Sequence, residues 1–305
     1  MPLPADVPDL SALDLLRSVV ELGSVSKAAD AHRITQPSAS SRIRTLERQL
    51  GLTVLDRSPT GSVPTPEGQM VAGWGADVLR AAERLASGVA SLKAELSGLL
   101  RIAASYTIAE YVLPPWLDEF LEDRPGDSVT LDVTNSRAVI ERLDAGAVDL
   151  GFVESPTVPT TMDQLVVGND ELIPVVSPRH RWAPRGAVGL DEFAHTPLVL
   201  REQGSGTREA LERELRRLGC DAPTSALDLG SISAVRIAVI NGASPTVISR
   251  LAVADDLAAH RLVEIDVPGL TIQRELRAIW LRRATLPRLA TTLLDAIAHH
   301  DLRGA

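Results

Sequence analysis

The sequence has little cysteine, no long apolar run and no overall excess of positive charge. Its only cysteine, Cys220, excludes an intrachain disulfide and is expected to be a half-buried structural thiol. No apolar run approaches the ~20 residues that a membrane-spanning helix needs, and Arg236 interrupts ISAVRIAVI. The segment MPLPADVPDL lacks the basic start and apolar core of a signal peptide. We therefore expect a cytoplasmic protein without a membrane partner.

Residue groupings typical of catalysis are also missing from the sequence. None of the six histidines has a metal-ligand spacing with acids or the cysteine, and the adjacent His299 and His300 would point apart on a helix. No histidine is arranged with a serine or cysteine as a base beside a nucleophile. We therefore expect no catalytic residue, no metal site and no cofactor.

The charge is distributed unevenly along the chain. The net charge is −9, and residues 99–305 hold 21 basic and 29 acidic residues. The segment from Arg33 to Arg48, however, contains four arginines and only one acidic residue, Glu47. A nonspecific DNA-packaging protein would be strongly basic overall, so this balance argues against one.

Apolar spacing in the first 51 residues predicts three short helices. The first ends at Gly23, and Ser24 can then cap the second helix. Thr35 is a plausible cap for the third helix, which runs from about Gln36 to Leu50 and is ended by Gly51. The predicted inward-facing residues are Leu10, Leu13, Leu16, Val20, Val25, Ala28, Ala29, Ala39, Ile43, Leu46 and Leu50.

The third helix has the features of a helix that reads the DNA major groove. Its N-terminal end is polar, and its flanking arginines could neutralise phosphates. The following LTVLDRSPTGSVPT predicts two short strands around Pro59-Thr60-Gly61, which would form a wing. A three-helix domain with a solvated charged face would show the same charge pattern. The candidate DNA-binding residues are Ser24, Ser26, Arg33, Thr35, Gln36, Pro37, Ser38, Ser41, Arg42 and Arg57.

The run from Leu13 to Gly68 resembles the winged helix-turn-helix of LysR-type transcriptional regulators. The resemblance rests on Gly23-Ser24, Ala28-Ala29, TQPSASSRIRTLERQLG, VLDR at 54–57 and TPEG at 65–68. It implies a DNA-binding domain over residues 8–65, with the helix-turn-helix at about 24–43, and promoter DNA as a partner. Ser41, and Thr60 or Val63 in the wing, stand where the family often has longer polar or basic residues. We therefore expect a shallow salt dependence of DNA binding.

Residues 66–97 predict one long helix that begins at Pro66 after a capping Thr65. A lone helix cannot bury its apolar stripe, and pairing with the same helix of a second subunit would do so. The resemblance implies this role in a homodimer or homotetramer, whereas packing against the chain's own C-terminal domain is the alternative. The stripe consists of Met70, Trp74, Val78, Leu85, Val89, Leu92 and Leu96.

From Leu99 onward, strand and helix patterns alternate, which predicts α/β architecture. The alternation occurs twice, so we expect two lobes joined by crossing strands, at 175–178 and at 277–280. The whole chain is then an α+β multidomain protein with a winged helix-turn-helix, a long dimerisation helix and a two-lobed, periplasmic-binding-protein-like effector domain. The effector domain covers 98–305, with lobe I at 98–176 plus 278–305 and lobe II at 177–277.

Polar residues follow several of the predicted strands, where ligands bind in such sheets. Hydroxyls, helix N-termini and an arginine suit a small oxyanion or an acidic metabolite. Ser105, Thr107 and Ser205 could instead simply cap helices, and Arg208 could pair with Glu212. Glu154 would repel an anion, so it more naturally binds an amine or orients a neighbour. The candidate effector-binding residues are Ser105, Thr107, Asn135, Ser136, Glu154, Arg201, Gly204, Ser205, Gly206 and Thr207.

The segments REQGSGTR, SYT at 105–107 and VES at 153–155 resemble one branch of the LysR-type regulators. That branch includes regulators of sulfur assimilation and of carbon fixation, which implies sulfite, sulfate or a phosphorylated metabolite as effector. The sequence therefore predicts a sequence-specific transcriptional regulator whose promoter binding responds to a small anion. The alternative is a two-lobed binding protein or enzyme that uses its front domain for protein contacts.

Overall fold

The computed structural model describes residues 4, 7–58, 61–282 and 285–301 of the chain. It divides into two compact units, Met1–Ser87 and Gly88–Ala305. The first unit has the predicted winged helix-turn-helix order: α1 (Leu10–Leu22), α2 (Val25–Ala31), α3 (Gln36–Leu50), β1 (Leu55–Ser58) and β2 (Gly61–Pro64).

Local capping sets the limits of the three helices as the sequence predicted. The hydroxyl of Ser24 accepts a hydrogen bond from the Lys27 amide at 3.4 Å, and that of Thr35 accepts one from the Ser38 amide at 3.4 Å. Gly51 ends α3 at φ +67°, a left-handed conformation that glycine adopts without steric cost. These caps limit the turn between α2 and α3 to the few residues that separate the two helices.

The core of the first unit is formed by the inner faces of α1, α2 and α3. Leu16, Ala28, Ala29 and Ile43 are fully buried, as the apolar spacing predicted. Leu10, also predicted to face inward, is instead 46% exposed because it is the first residue of α1 and lies at the edge of this core.

The long helix α4 runs over Pro66–Leu96 and contains 31 residues. The Gly68 amide donates to the Thr65 hydroxyl at 2.9 Å, which confirms the predicted cap. Val71, Ala72 and Leu79 of α4 are buried against the helix-turn-helix core. The predicted stripe, Met70, Trp74, Val78, Leu85, Val89, Leu92 and Leu96, lies elsewhere on the helix and is 42% to 90% exposed.

The second unit alternates strands and helices as predicted. Its elements are β3 (Leu99–Ser105), α5 (Tyr106–Tyr111), α6 (Leu113–Glu122), β4 (Ser128–Thr134), α7 (Ser136–Asp144), β5 (Leu150–Val153), β6 (Met162–Val176), α8 (Leu190–Ala194), β7 (Leu198–Arg201), α9 (Gly206–Arg217), β8 (Ser225–Leu229), α10 (Ile232–Ile240), β9 (Thr246–Ser249), α11 (Arg250–Ala258), β10 (Val263–Glu264), β11 (Ile272–Leu281) and α12 (Arg288–Asp301).

Lobe I is built on parallel strands that helices cover. Strand β3 pairs in parallel with β4 and β5, and β11 pairs with β5 in the antiparallel sense. The core of this lobe packs Leu100 and Ile102 of β3 against Phe120 of α6 and Leu293 of α12. The segment after β3 forms two short helices, α5 and α6, which meet at Val112 just before Pro114 and Pro115.

Lobe II contains the second half of β6, which pairs with β9 and with β10. It also contains β7 and β8, which form a separate parallel pair. Strand β6 already pairs with β9 from Leu172 onward, so its change of partners lies before the crossing expected at 175–178. The sequence suggested a later crossing because the polar first half of β6 gives little strand signal. The ladder of β6 and β11 joins the lobes, and its register shifts between Leu276 and Arg277.

Candidate functional site

The helix-turn-helix presents most of the predicted DNA-binding residues on its surface. Ser26 and Arg33 are exposed on and just after α2, and Arg33 has a positive φ of 54°. Thr35, Gln36, Pro37, Ser38 and Ser41 are exposed at the start of α3. The Gln36 side chain and the first turn of α3 are therefore accessible from the solvent.

Arg42 is the exception, because it is half-buried and its charge acts within the domain. The hydrogen bond from the Ser11 side chain lowers the pKa of the Asp9 carboxyl, and burial opposes that effect without cancelling it. The positive charge of the half-buried Arg42 also lowers this pKa. Asp9 caps α1 through hydrogen bonds to the amides of Ser11 and Ala12 at 2.6 and 3.3 Å. The positive charge of Arg42 therefore lies close enough to the start of α1 to be felt by Asp9.

Glu47, the one acidic residue among the four arginines, is directed toward the wing. Its Oε1 accepts hydrogen bonds from the amides of Val54 and Leu55 at 3.1 and 3.3 Å. The carboxylate therefore fixes the start of β1 relative to α3. It satisfies backbone donors and leaves the exposed face of α3 to the arginines.

The wing consists of β1 and β2, which pair in the antiparallel sense from Leu55–Pro64 to Ser58–Gly61. Val63 is 64% exposed on this hairpin. The predicted tip residues Pro59 and Thr60, and the side chain of Arg57, lie outside the described part of the chain.

In the second unit, the predicted effector residues meet where the two lobes face each other. Ser105 ends β3 and donates its hydroxyl hydrogen to Glu154, which follows β5. The amide of Arg137, at the start of α7, donates to the Gly204 carbonyl at 3.1 Å. A Cβ on Gly206 would lie 2.9 Å from the backbone carbon of Glu154, so the start of α9 reaches this cleft because it has no side chain there.

One residue at the centre of this cleft was not predicted. Arg274 of β11 is buried, and its Nη2 and Nη1 donate to the hydroxyls of Thr107 and Thr207 at 3.1 and 3.0 Å. Thr107 belongs to lobe I and Thr207 to lobe II. A single guanidinium therefore contacts the first helical turn after a strand in each lobe.

Arg274 is held by a buried carboxylate on the neighbouring strand. Its Nε and Nη2 donate to Asp170 Oδ2 at 2.8 and 2.6 Å, and the two residues are direct partners in the β6–β11 ladder. The Ser249 hydroxyl donates to the other Asp170 oxygen at 2.9 Å. The available sequence signal was alternation, since Arg274 takes an inward position between Ile272 and Leu276.

Arg201, the predicted arginine, is also buried but has a partner of its own. It donates to both carboxylate oxygens of Glu202 at 2.8 and 2.9 Å and lies over the Tyr106 ring, 4.8 Å from its centroid. The Asn135 amide donates to Glu202 at 3.2 Å, and the Asn135 oxygen caps α7. This network joins the start of α7 in lobe I to the end of β7 in lobe II.

Two hydroxyls of the predicted set are not used by the protein as helix caps. Ser105 and Ser205 occupy the N-cap positions of α5 and α9 without a side-chain capping hydrogen bond. Ser136 is 1% exposed, and among the described residues its hydroxyl oxygen has no hydrogen-bond partner. A buried polar atom without a partner is costly, and at a binding site a ligand can satisfy it.

Arg208, by contrast, has the structural role that the sequence favoured. Its Nε donates to Glu212 at 2.8 Å, and its Nη1 donates to Asp228 at 2.7 Å. These ion pairs hold the first turn of α9 against β8. The cation is therefore already committed to neighbours of its own lobe.

The electrostatics of the cleft are dominated by buried groups. Burial raises the pKa of the Glu154 carboxyl, whereas the positive charges of Arg274 and Arg201 lower it and the negative charge of Asp170 raises it. Glu154 Oε1 lies 3.5 Å from Arg274 Nη1. Since Arg274 and Arg201 already have Asp170 and Glu202 as counterions, Glu154 is the acid in excess.

Within the described part of the chain, no helix has the length and apolar character needed to cross a membrane. No group of three or more histidine, cysteine, aspartate or glutamate side chains within 4, 7–58, 61–282 and 285–301 is placed to hold a metal ion.

Comparison with known families covers both units. Residues 10–69 match the family described as bacterial regulatory helix-turn-helix protein, lysR family. Residues 93–301 match the family described as LysR substrate binding domain.

Individual relatives extend over nearly the whole chain. An uncharacterised HTH-type transcriptional regulator of Mycobacterium tuberculosis is 40% identical over 98% of both chains. The RuBisCO operon transcriptional regulator of Allochromatium vinosum is 29% identical over 96% of this chain and 97% of its own. The regulatory domain of Synechocystis CcmR, solved in complex with 2-PG, has a TM-score of 0.61 and 27% identity and covers 67% of this chain and 97% of that chain.

Proposed function

Since the chain belongs to the LysR family of DNA-binding transcriptional regulators, we propose that a small oxyanion in its interlobe cleft controls its binding to promoter DNA. The observation that carries this proposal is the position of Arg274. Its guanidinium contacts Thr107 of lobe I and Thr207 of lobe II, so a ligand at this point would touch both lobes. Closure or opening of the cleft would then follow from ligand contacts that differ between the two states.

The proposed DNA interface is the exposed start of α3 together with the end of α2 and the wing. Gln36, Ser38 and Ser41 would face base edges, while Arg33 and Arg42 would face phosphates. Arg57 is a candidate phosphate contact on its place in the sequence alone. The hydroxyl oxygens of Ser24 and Thr35 already accept the capping hydrogen bonds of α2 and α3, and the Thr35 hydroxyl donates to Ser38 Oγ at 2.9 Å. The Ser24 hydroxyl would contact a phosphate oxygen by donating its hydrogen.

The proposed effector site combines the predicted residues with Arg274. Its donors are the unpartnered Ser136 hydroxyl, the start of α9 at Gly204–Thr207 and the two buried arginines. The 2-PG bound to the Synechocystis CcmR domain, a structure of 27% identity, supports an acidic ligand of this size class. Sulfite, sulfate, inorganic phosphate and small phosphorylated metabolites are the proposed candidates.

The proposed assembly is a homodimer through residues 66–97, with a tetramer as the larger form, acting in the cytoplasm. Seven apolar side chains of α4 are exposed along one stripe. Burying such a stripe against the same helix of a second subunit would remove it from water. A dimer would also present two recognition helices to a two-fold DNA site.

Calorimetric titration of the full chain with inorganic phosphate, sulfite and sulfate tests the effector proposal. Ser136→Ala, which removes the unpartnered hydroxyl, should weaken binding of the anion that binds. Ser62→Ala, in the wing and outside the effector domain, serves as the matched control and should bind as the parent does. An anion that binds both variants and the parent equally would place the site elsewhere.

A further inference from the structure

Three carboxylates and two buried arginines meet in the cleft: Glu154, Asp170 and the half-buried Glu202 lie with Arg201 and Arg274. Of the described residues, those that are both charged and buried are Glu154, Asp170, Arg201, Asp256 and Arg274, and Asp256 is paired with Arg236 and Arg261 elsewhere in lobe II. In the cleft, Asp170 balances Arg274 and Glu202 balances Arg201. Glu154 therefore remains as an acceptor among the donors of an anion site.

Glu154 lies where an anion bound in the cleft would contact its carboxylate. Its carboxylate accepts from Ser105, lies 3.5 Å from Arg274 Nη1, and its backbone is packed against Gly206 at the start of α9. The charged groups that act on it come from three other strands: Arg274 of β11, Arg201 of β7 and Asp170 of β6. An oxyanion held by Ser136, Thr107 and α9 would thus share the cleft with this carboxylate.

Two acceptors cannot face each other in a buried site unless a proton lies between them. We infer that Glu154 makes the cleft selective for oxyanions that still carry an acidic proton, such as hydrogenphosphate and the hydrogensulfite present near neutral pH, over fully deprotonated sulfate. The ligand's O–H donates to the ionised carboxylate. Sulfate brings no proton, so Glu154 must first take one from solvent and then donate it to a sulfate oxygen.

This inference rests on the proposed effector site and names the class of anion that the site accepts. Burial raises the pKa of Glu154, while Arg274 and Arg201 oppose that rise, so proton uptake is accessible as the pH falls. Sulfate binding should then strengthen with decreasing pH, by up to about tenfold per pH unit above the folded-state pKa, as linkage to one proton requires.

The test compares sulfate with inorganic phosphate at pH 8, where both are dianions of nearly the same size and only phosphate carries a proton. Calorimetry on the full chain should show phosphate binding at least about tenfold more tightly. Glu154→Gln, whose amide can donate to sulfate, should bring the two affinities within about twofold, mainly by tightening sulfate. Glu209→Gln, which removes one negative charge from the first turn of α9, should change both affinities alike and leave their ratio unchanged.

Each outcome decides one part of the argument. Equal affinities for the two anions in the parent, or sulfate binding that does not change between pH 6 and pH 8, would overturn the role of Glu154 and leave the effector site intact. The pH series uses the parent protein, so it stands even if Glu154→Gln fails to fold. Binding of neither anion at any pH would refute the proposed oxyanion site itself, and this inference with it.

Discussion

Replacing Arg274 by methionine should destabilise the unit of residues 88–305 by about 3–5 kcal/mol, because it leaves a buried carboxylate without its counterion. Asp170 would retain only the 2.9 Å hydrogen bond from Ser249, and the hydroxyls of Thr107 and Thr207 would lose their donor. Asp170→Asn alone should also be costly, because it leaves the guanidinium underneutralised. The double replacement should be less destabilising than the sum of the two by about 2 kcal/mol.

Urea unfolding followed by tryptophan fluorescence measures this coupling. Trp116, Trp182 and Trp280 lie in the unit of residues 88–305, and only Trp74 lies in the other, so the signal reports mainly on the cleft-bearing unit. The exposed pair Arg282–Asp163, at 2.8 Å, is the matched control and should couple by less than about 1 kcal/mol. Strictly additive effects at Arg274 and Asp170 would refute the argument that this ion pair organises the cleft.

Three further predictions concern DNA binding, assembly and pH. Arg42→Ala should weaken binding to every duplex and reduce the slope of log affinity against log salt by about 1, whereas Gln36→Ala should chiefly relax sequence choice. Anisotropy titrations across a salt series separate the two effects. Arg84→Ala of α4 is the control and should bind DNA like the parent. Leu85→Glu, a charge placed in the exposed α4 stripe, should shift the sedimentation of the chain from dimer to monomer, and an unchanged sedimentation coefficient would argue against pairing through this stripe. Because the pKa of Glu154 is raised above 4.5 in the folded state, its stabilising contribution is present at low pH and is lost as the pH rises through that pKa; the melting temperature of Glu154→Gln should therefore fall less with rising pH than that of the parent, and parallel curves would exclude a buried titration there.

The winged helix-turn-helix could be predicted from sequence because local rules determine it. Ser24, Thr35 and Gly51 act on the backbone within four residues of themselves, so their capping geometry is contained in the sequence around them. The stripe on α3 has a fixed helical spacing, and its members Ala39, Ile43 and Leu46 are buried as that spacing requires.

The centre of the cleft could not be predicted because it depends on strand register. Arg274 and Asp170 are 104 residues apart and become neighbours only through the β6–β11 ladder. A shift of one residue would have turned both side chains to the opposite face. The predicted residues Ser105, Thr107 and Thr207 were accessible to sequence reasoning because each ends a strand or lies at the start of a helix, whereas Arg274 lies within the strand β11.

The sequence also could not predict that the Ser136 hydroxyl is buried without a hydrogen-bond partner among the described residues. Serine at the first position of a helix is ordinarily exposed or engaged in capping, and here Asn135 performs the capping. Ser136 is buried by tertiary packing, next to the hydrogen bond from the Arg137 amide to the Gly204 carbonyl. The candidate site therefore combines locally predictable loops with a tertiary environment that decides their chemistry.

The most direct test of the account is fluorescence anisotropy of the full chain on the DNA upstream of its own gene. The titration is run against a scrambled duplex at several salt concentrations, with and without phosphate, sulfite and sulfate. The account predicts tighter binding to the upstream duplex and a shift in that affinity with phosphate at pH 8, for which at least about tenfold more sulfate is needed. Equal, salt-labile binding to both duplexes that no anion changes would contradict it.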